Sequence, residues 1–213
     1  MTEKISKNFT SYLLRKEIIC DEKVEIVNYL FQIYIEKMVV YMTLFFYGVY
    51  REKIVELFFF LIMYTNLRKY TGGFHAQNFF RCYIGSVAVV VIGLEVFVSM
   101  TYTQNLFVSV IYIIAVFIIS IIGTVNHPNM DFTKIELVKS KKCARGVIML
   151  ETLFIICLIM FHVQRKVIVS ACYGVVLCAM LLILSKIQKQ EVQVDETGEK
   201  TKGFKKCGKR GDY

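Results

Sequence analysis

Apolar residues along this chain fall into six stretches, each bounded by short polar or charged segments. The last four are about 17–18 residues long, near the lower bound for a helix that crosses a bilayer. The first two are shorter and are separated by Arg51, Glu52 and Lys53, so the pattern leaves open whether they span fully. An all-α, polytopic membrane bundle is predicted from these stretches: Met38–Tyr50, Ile54–Thr65, Tyr83–Met100, Leu106–Ile122, Val147–Val163 and Val167–Leu184.

The region before the first apolar stretch, residues 1–37, has an amphipathic pattern. Ile5, Phe9 and Leu13 recur at helical spacing among basic residues. This is typical of a helix that lies in the membrane interface or packs on the protein as a surface helix. Acidic residues then mark a helix start, and one long helix is expected over Val24–Tyr50.

The remaining pattern sets the domain organisation. Residues 1–185 are predicted to form a single membrane-embedded domain. Residues 186–213 are basic, rich in mixed charge and poor in apolar residues, so they are predicted to be a disordered tail.

Lysine and arginine residues are distributed unevenly between the two sides of the predicted spans. If all six stretches cross and the N-terminus is inside, 22 of the 26 Lys and Arg residues lie on the inner side and 4 on the outer. Cytoplasmic loops of membrane proteins carry an excess of basic residues. The count therefore predicts that both termini and the segments 66–82 and 124–146 are cytoplasmic, in a compartment that keeps thiols reduced.

Composition favours a membrane protein over a soluble or nucleic-acid-binding one. The hydrophobic fraction of 56% and the mean hydropathy of +0.53 exceed the soluble norm of roughly 45–50% apolar residues. The net charge of +9 flanks apolar spans, so orientation and anionic lipid headgroups explain it better than nucleic acid does. The seven cysteines form no CxxC pair and no metal-ligand spacing appears; we therefore expect no metal and no other cofactor.

Polar chemistry is concentrated in one segment, Lys69–Tyr83, which reads KYTGGFHAQNFFRCY. A Cys/His pair is the smallest nucleophilic unit, because a nearby histidine can take the proton of the thiol. Cys82 directly precedes an apolar run, so it is predicted to lie in the first turn of a helix. There the helix end and Arg81 favour the thiolate.

The spacing of the pair limits how it can work. On a continuous helix, His75 would lie about 10 Å from Cys82 along the axis, too far for proton transfer. The two residues can cooperate only if the backbone turns between them, and Gly72 and Gly73 upstream would allow a turn. The alternative reading of this segment is a polar loop at the membrane edge with an inert thiol.

The segment Arg68–Ile84, RKYTGGFHAQNFFRCYI, resembles the signature of the accessory gene regulator B (AgrB) family of membrane cysteine endopeptidases. In that signature, an arginine-containing Gly-Gly lead-in is followed by histidine, six residues and cysteine. The segment Thr124–Asn129 also resembles the family's proline-containing loop, but Thr124 stands where many members carry a first proline. Chain length, hydrophobic spans and a basic loop after the fourth span agree with the family as well.

The resemblance implies an activity and a substrate. Cys82 would be the nucleophile and His75 the general base and acid. The substrate would be a small AgrD-like precursor peptide, whose charged C-terminal tail is expelled while the rest is held as a thioester. An internal cysteine or serine then closes a thiolactone or lactone ring, giving a quorum-sensing signal. The implied location is the bacterial cytoplasmic membrane, and family members are thought to act as dimers, so a homodimer is a further expectation.

Other residues receive supporting roles. Backbone N–H groups at the helix start, with Arg68, Gln77 or Asn78, are candidates to stabilise the oxyanion. Basic residues of the fourth loop are expected to attract an acidic substrate tail, and the three at its centre are Lys139, Lys141 and Lys142.

Two carboxylates fall within the apolar stretches. Glu95 lies thirteen residues past Cys82, about 20 Å deeper along a helix. We expect it to pair with another helix or to line a polar cavity, as intramembrane acids commonly do. Glu151 is expected near the start of its helix, stabilised by the helix N-terminus.

Two rival hypotheses come from the same residues. The protein would be a non-enzymatic small transporter or scaffold if Glu95 lined a transport pathway. It would be a quinone-linked thiol oxidoreductase if Cys172 and Cys178 formed an accessible pair at the membrane face, although both fall inside an apolar run.

The charge distribution makes the topology testable. In a cysteine-free background, thiols introduced into 66–82, 124–146 or the tail should react with a membrane-impermeant maleimide only after cells are permeabilised. A thiol introduced into 101–105 should react in intact cells. Labelling of a thiol at position 71, now Thr71, from outside intact cells would contradict the topology.

Overall fold

A computed structural model describes residues 2–16, 18–20, 24–72, 79–101, 105–126 and 133–188. Every regular element in those ranges is helical, which confirms the all-α prediction. The helices are α1 (Thr2–Arg15), α2 (Val24–Tyr50), α3 (Ile54–Thr71), α4 (Phe79–Ile92), a π-helical segment (Gly93–Phe97), α5 (Val98–Thr101), α6 (Asn105–Ile122), α7 (Lys134–Met160) and α8 (Arg165–Ile187).

Among the described residues, four helical stretches are long and apolar enough to cross a membrane: Val24–Tyr50, Phe80–Phe97, Lys134–Met160 and Arg165–Ile187. A shorter apolar helix covers Leu106–Ile122. All six apolar stretches of the sequence therefore lie in helices, except for the last three residues of the fifth, which follow the end of α7 at Met160. The second stretch forms α3, an 18-residue helix with charged residues near both ends.

The described chain forms two compact units, one up to Met42 and one from Thr43 onward. In the first unit, α1 packs on the beginning of α2. Ser6 donates to the Asn28 carbonyl at 2.6 Å, and the rings of Phe9 and Phe31 stack with centroids 4.1 Å apart. The predicted N-terminal amphipathic helix is thus present as α1. It is anchored to α2 by a hydrogen bond and a ring stack on one side and leaves Ile5 and Tyr12 exposed on another.

The core of the second unit is a parallel pair of helices, α3 and α8. Ser170 donates to the carbonyl of Glu56 at 2.7 Å, and one turn further along Gly174 lies directly against the backbone of Phe60. The missing side chain at Gly174 is what permits this approach. Because α8 is surrounded by its neighbours, most of its residues are buried, whereas only a minor part of each of the other three long apolar helices is buried.

Tyr173 joins this pair to the helix that carries Cys82. Its hydroxyl donates to the Val89 carbonyl of α4 at 2.9 Å. Its ring lies between those of Phe60 and Phe97, with centroids 5.4 and 5.1 Å away. The ring occupies space that a side chain at Gly93 would need. The glycine that opens the π-helical segment therefore makes room for a tyrosine from α8.

The helices α6 and α7 run antiparallel to each other. Tyr112 and Thr152 share a hydroxyl–hydroxyl hydrogen bond of 2.9 Å. Toward the end of α6, the Arg145 guanidinium donates to the Ser120 carbonyl at 2.9 Å. Hydrogen bonds of this kind, to carbonyls of a neighbouring helix, satisfy polar groups for which the bilayer core offers no hydrogen-bonding partner.

The expectation for Glu151 was wrong. α7 begins at Lys134, so Glu151 lies more than four turns inside the helix, beyond the first turn to which the effect of a helix N-terminus is confined. The side chain is buried within the bundle, and neither carboxylate oxygen has a hydrogen-bond partner in the described chain. The helix extends further into the polar loop than the apolar pattern indicated.

The close approach of α3 and α8 can be tested with alanine substitutions. Gly174→Ala should destabilise the protein by about 1–3 kcal/mol, because the new Cβ would lie 2.9 Å from the Phe60 carbonyl oxygen. Gly146→Ala is the matched control, since nothing lies within 4 Å of its Cβ. The free energy of unfolding in detergent micelles measures both. Equal stabilities of the two variants would contradict this packing.

Candidate active site

Cys82 lies in the first turn of α4, as the sequence predicted. Its thiol is free and half-buried, and Arg81 beside it is exposed. The N–H groups of a first helical turn carry partial positive charge, which favours an anionic sulfur. His75, Gln77, Asn78 and Gly73 lie outside the described residues, so their predicted roles stay predictions.

The chain leaves α3 through a turn at Gly72. This residue caps the helix with φ of 66°, a conformation that residues other than glycine rarely adopt. Its N–H donates to the Arg68 carbonyl at 3.2 Å, and the Arg68 guanidinium donates back to the Gly72 carbonyl. Arg68 thus holds the turn that leads into the Cys/His segment, and its predicted role on an oxyanion stays a prediction.

The loop after α6 docks onto this same turn. Thr124 donates from its hydroxyl to the Tyr70 carbonyl at 2.8 Å, and the Val125 N–H donates to the Thr71 carbonyl at 3.1 Å. Thr71, Thr124 and Val125 are almost completely buried, as is the next residue, Asn126. The two segments that resemble family motifs, far apart in sequence, are therefore in direct contact.

A third element completes the cluster. Ser140 of α7 donates to the same Tyr70 carbonyl at 3.0 Å. The aliphatic part of Lys141 packs against Gly123, whose φ is 68°. Lys139 and Lys142, in contrast, are exposed. Of the three lysines assigned to substrate binding, two face outward and Lys141 is half-buried against the loop.

Sequence reasoning did not find the roles of Ser140 and of the Tyr70 carbonyl. The sequence shows Ser140 only as one polar residue in a basic loop, and a backbone acceptor has no signal in sequence at all. The loop of Thr124 was noted by resemblance, but its partner was not predicted, because a contact across more than fifty residues leaves no periodic pattern.

The acid Glu95 lies in the π-helical segment that follows α4, at the end far from Cys82. Its carboxylate accepts hydrogen bonds from the Tyr47 hydroxyl at 2.7 Å, from Arg51 Nε at 2.7 Å and from Lys53 Nζ at 2.8 Å. This confirms that Glu95 pairs with another helix. The hydrogen bond to Glu95 also raises the pKa of Arg51 in the α2–α3 turn above its ordinary value.

A polar cavity of about 190 Å³ lies beside this ion cluster, with Arg51, Lys53 and Leu94 among its lining residues. Glu95 pairs with two of the cations that line this cavity, Arg51 and Lys53, through both of its carboxylate oxygens. The transporter hypothesis requires Glu95 to line a transport pathway, and this pairing argues against it.

Cys172 and Cys178 are buried in α8, whereas the oxidoreductase hypothesis requires them to be accessible at the membrane face. In the described ranges, no three His, Cys, Asp or Glu side chains are grouped to hold a metal ion.

These features define a polytopic helical membrane protein with a free thiol at a helix start, beside a buried cluster of three chain segments. The model of the family described as accessory gene regulator B matches residues 3–184 of the chain. The chain therefore belongs to the accessory gene regulator B (AgrB) family, whose proteins act at membranes in the processing of quorum-sensing peptides. Comparison with curated proteins gave no match, and comparison with solved structures gave none.

The hydrogen bonds to the Tyr70 carbonyl can be tested by a double-mutant cycle. Thr124→Val and Ser140→Ala should each lower the free energy of unfolding by about 1 kcal/mol. The double variant should lose more than the sum, because the carbonyl then keeps neither hydroxyl donor. Thr65→Val is the matched control, since within the described residues its hydroxyl donates to the Leu61 carbonyl of its own helix. Additive losses would contradict a shared acceptor.

Proposed function

We propose that this protein is a membrane cysteine endopeptidase that removes the C-terminal tail of a small AgrD-like precursor peptide. The observation that carries the proposal is the free Cys82 thiol in the first turn of α4, within a chain that belongs to the AgrB family. The packing of Cys172 and Cys178 supports it, because these two thiols are enclosed by α8 and its neighbours and are not accessible to a peptide.

The reaction begins with His75 taking the proton of Cys82. The thiolate attacks the carbonyl carbon that precedes the charged tail, and an oxyanion forms. Backbone N–H groups at the start of α4 support the oxyanion, with Gln77 or Asn78 as further donors. When the C–N bond breaks, His75 returns the proton to the departing amine. The remaining peptide is held on Cys82 as a thioester.

The second half of the reaction closes the ring. An internal cysteine or serine of the precursor attacks the thioester carbonyl, with His75 taking its proton. The bond between the carbonyl carbon and the Cys82 sulfur breaks, and the proton returns to the thiolate. The product is a thiolactone or lactone. No external oxidant or reductant is needed, because each step exchanges one acyl bond for another without a change of oxidation state.

The docked loop supports this reaction by fixing where the Cys/His segment begins. The Gly72 turn is held by Arg68 from within α3, and the Tyr70 and Thr71 carbonyls beside it are held from the α6–α7 loop. Catalytic groups need positions accurate to well under 1 Å. A turn fixed from two directions is suited to that requirement.

Orientation in the membrane follows from the charge distribution. With the N-terminus inside, the Cys82 end of α4 faces the cytoplasm, where a thiol stays reduced and the precursor is made. The Glu95 cluster then lies at the outer face. Lys139 and Lys142 are exposed at the Cys82 end, in position to attract an acidic tail.

The mechanism can be tested through the thioester. Cys82→Ala should abolish tail release and ring formation, and His75→Ala should do nearly the same. If the ring-forming residue of the precursor is replaced by Ala, tail release should continue while a peptide adduct accumulates on the enzyme. Intact-protein mass spectrometry detects the adduct, and hydroxylamine should cleave it.

The matched control replaces the other six cysteines together and keeps Cys82. This protein should still form the adduct. Tail release by the Cys82→Ala protein, or an adduct that maps to another residue, would show that the assignment of the nucleophile is wrong.

A further inference from the structure

The first turns of α7 project beyond the end of α3. Ser140 is level with the end of α3, where it bonds to Tyr70. The residues from Lys134 to Lys139 therefore extend roughly 9 Å past that end, at 1.5 Å per residue. Their start is fixed by a capping box, in which Thr133 and Glu136 exchange hydrogen bonds. The projecting part is thus a continuation of a well-anchored helix.

Two apolar side chains stand exposed on this projection. Ile135 is 82% exposed and Val138 is 67% exposed. Most exposed apolar residues elsewhere in the second unit lie on the apolar stretches, where lipid would cover them. Ile135 precedes the apolar run that begins at Val147 by twelve residues, roughly 18 Å along the axis. Bilayer hydrocarbon therefore does not account for its exposure.

These two residues share one side of the helix with exposed lysines. At 3.6 residues per turn, Val138, Lys142, Ile135 and Lys139 follow one another within an arc of about 100°. We call this the outward face of α7. The opposite side of the helix faces the protein, where Ser140 bonds to α3 and Ala144 is completely buried.

We propose that the outward face of α7 is a docking surface for an acidic, amphipathic helical segment of a peptide. Ile135 and Val138 take up the partner's apolar side chains, while Lys139 and Lys142 pair with carboxylates at the edges. This mode of recognition lays apolar anchors of one helix against those of another. The proposal rests on the proposed function only in naming the precursor peptide as the natural partner.

The continuity of α7 favours a peptide over the membrane surface as the occupant. A helix that binds a bilayer surface lies in the plane of the interface. α7 is one unbroken helix over Lys134–Met160, so its projection shares the axis of the membrane span and points away from the bilayer. A peptide can reach such a face, and the two lysines select one that is acidic.

The test uses the full-length Cys82→Ala protein in nanodiscs, so that binding is measured without turnover. The probe is a labelled synthetic helical peptide, rich in Glu, with Leu on one side. A scrambled peptide of equal composition has Leu distributed around the helix. Ile135→Ser with Val138→Ser should weaken binding of the amphipathic peptide roughly tenfold and leave the scrambled peptide unaffected.

Two further variants separate charge from apolar contact. Lys139→Glu with Lys142→Glu should weaken binding of both peptides, because both rely on charge. Ile187→Ser is the matched control, since Ile187 is 72% exposed near the end of α8 and lies off this face. The docking proposal is overturned if the serine pair changes the affinity for the amphipathic peptide by less than about twofold.

The alternative occupants are tested with a single tryptophan, because the chain contains none. Emission from Ile135→Trp should shift to the blue when the amphipathic peptide is added. Quenching by brominated lipids before any peptide is added would overturn the proposal in favour of the bilayer. A blue-shifted signal that is already present, and is lost when residues 189–213 are deleted, would overturn it in favour of the chain's own tail.

The experiment also separates this proposal from the proposed function. A positive binding result with the inactive protein stands even if Cys82 is not the nucleophile. Conversely, a thioester on Cys82 together with no effect of the serine pair would leave the peptidase in place and remove only the docking surface.

Discussion

The parallel contact between α3 and α8 is the constraint on which the second unit depends. A bilayer offers no hydrogen-bonding partner, so each helix satisfies its own backbone and helices associate chiefly through close packing and polar contacts between them. Gly174 lets α8 lie directly on the backbone of α3, and Ser170 and Cys178 add hydrogen bonds to α3 carbonyls one turn to either side. Tyr173 then brings α4 to the same pair. Helix packing, rather than burial from water, thus sets the position of the helix that bears the thiol.

The same contact has a chemical consequence at the end of α3. Because α8 fixes the helix along its length, the Tyr70 carbonyl is presented at a defined point, and Thr124 and Ser140 both bind it there. The Gly72 turn follows at once. The Cys/His segment therefore departs from a rigid base made of three separated parts of the chain. Just beyond the far end of α4, Arg51 and Lys53 hold Glu95 of the π-helical segment, so the continuation of that helix is also held in place.

Much of this arrangement could be predicted from sequence, for identifiable reasons. The apolar runs predicted helices for all six stretches, and the change from polar to apolar residues at Tyr83 predicted that Cys82 lies in the first turn of a helix. The same reasoning failed at Glu151, because α7 begins in the basic loop and apolar content cannot show where a charged helix starts. It also gave no sign that Lys141 packs on Gly123 or that Ser140 meets Tyr70. Those contacts depend on which helices lie side by side, and the sequence pattern of a single helix does not contain that information.

The pairing of α3 with α8 also has a consequence for how the protein is made. Their hydrogen-bonded residues are 114 positions apart, and α8 is the last described helix. During synthesis α3 is made long before α8. The surface of α3 that packs against α8 therefore contacts lipid or other helices until nearly the whole chain has left the ribosome. Domains of larger proteins commonly form in chain order, but here the first half cannot complete its core alone. A chain interrupted before α8 would carry every residue of the Cys/His segment and still lack the helix that holds α3 and α4 together on either side of it.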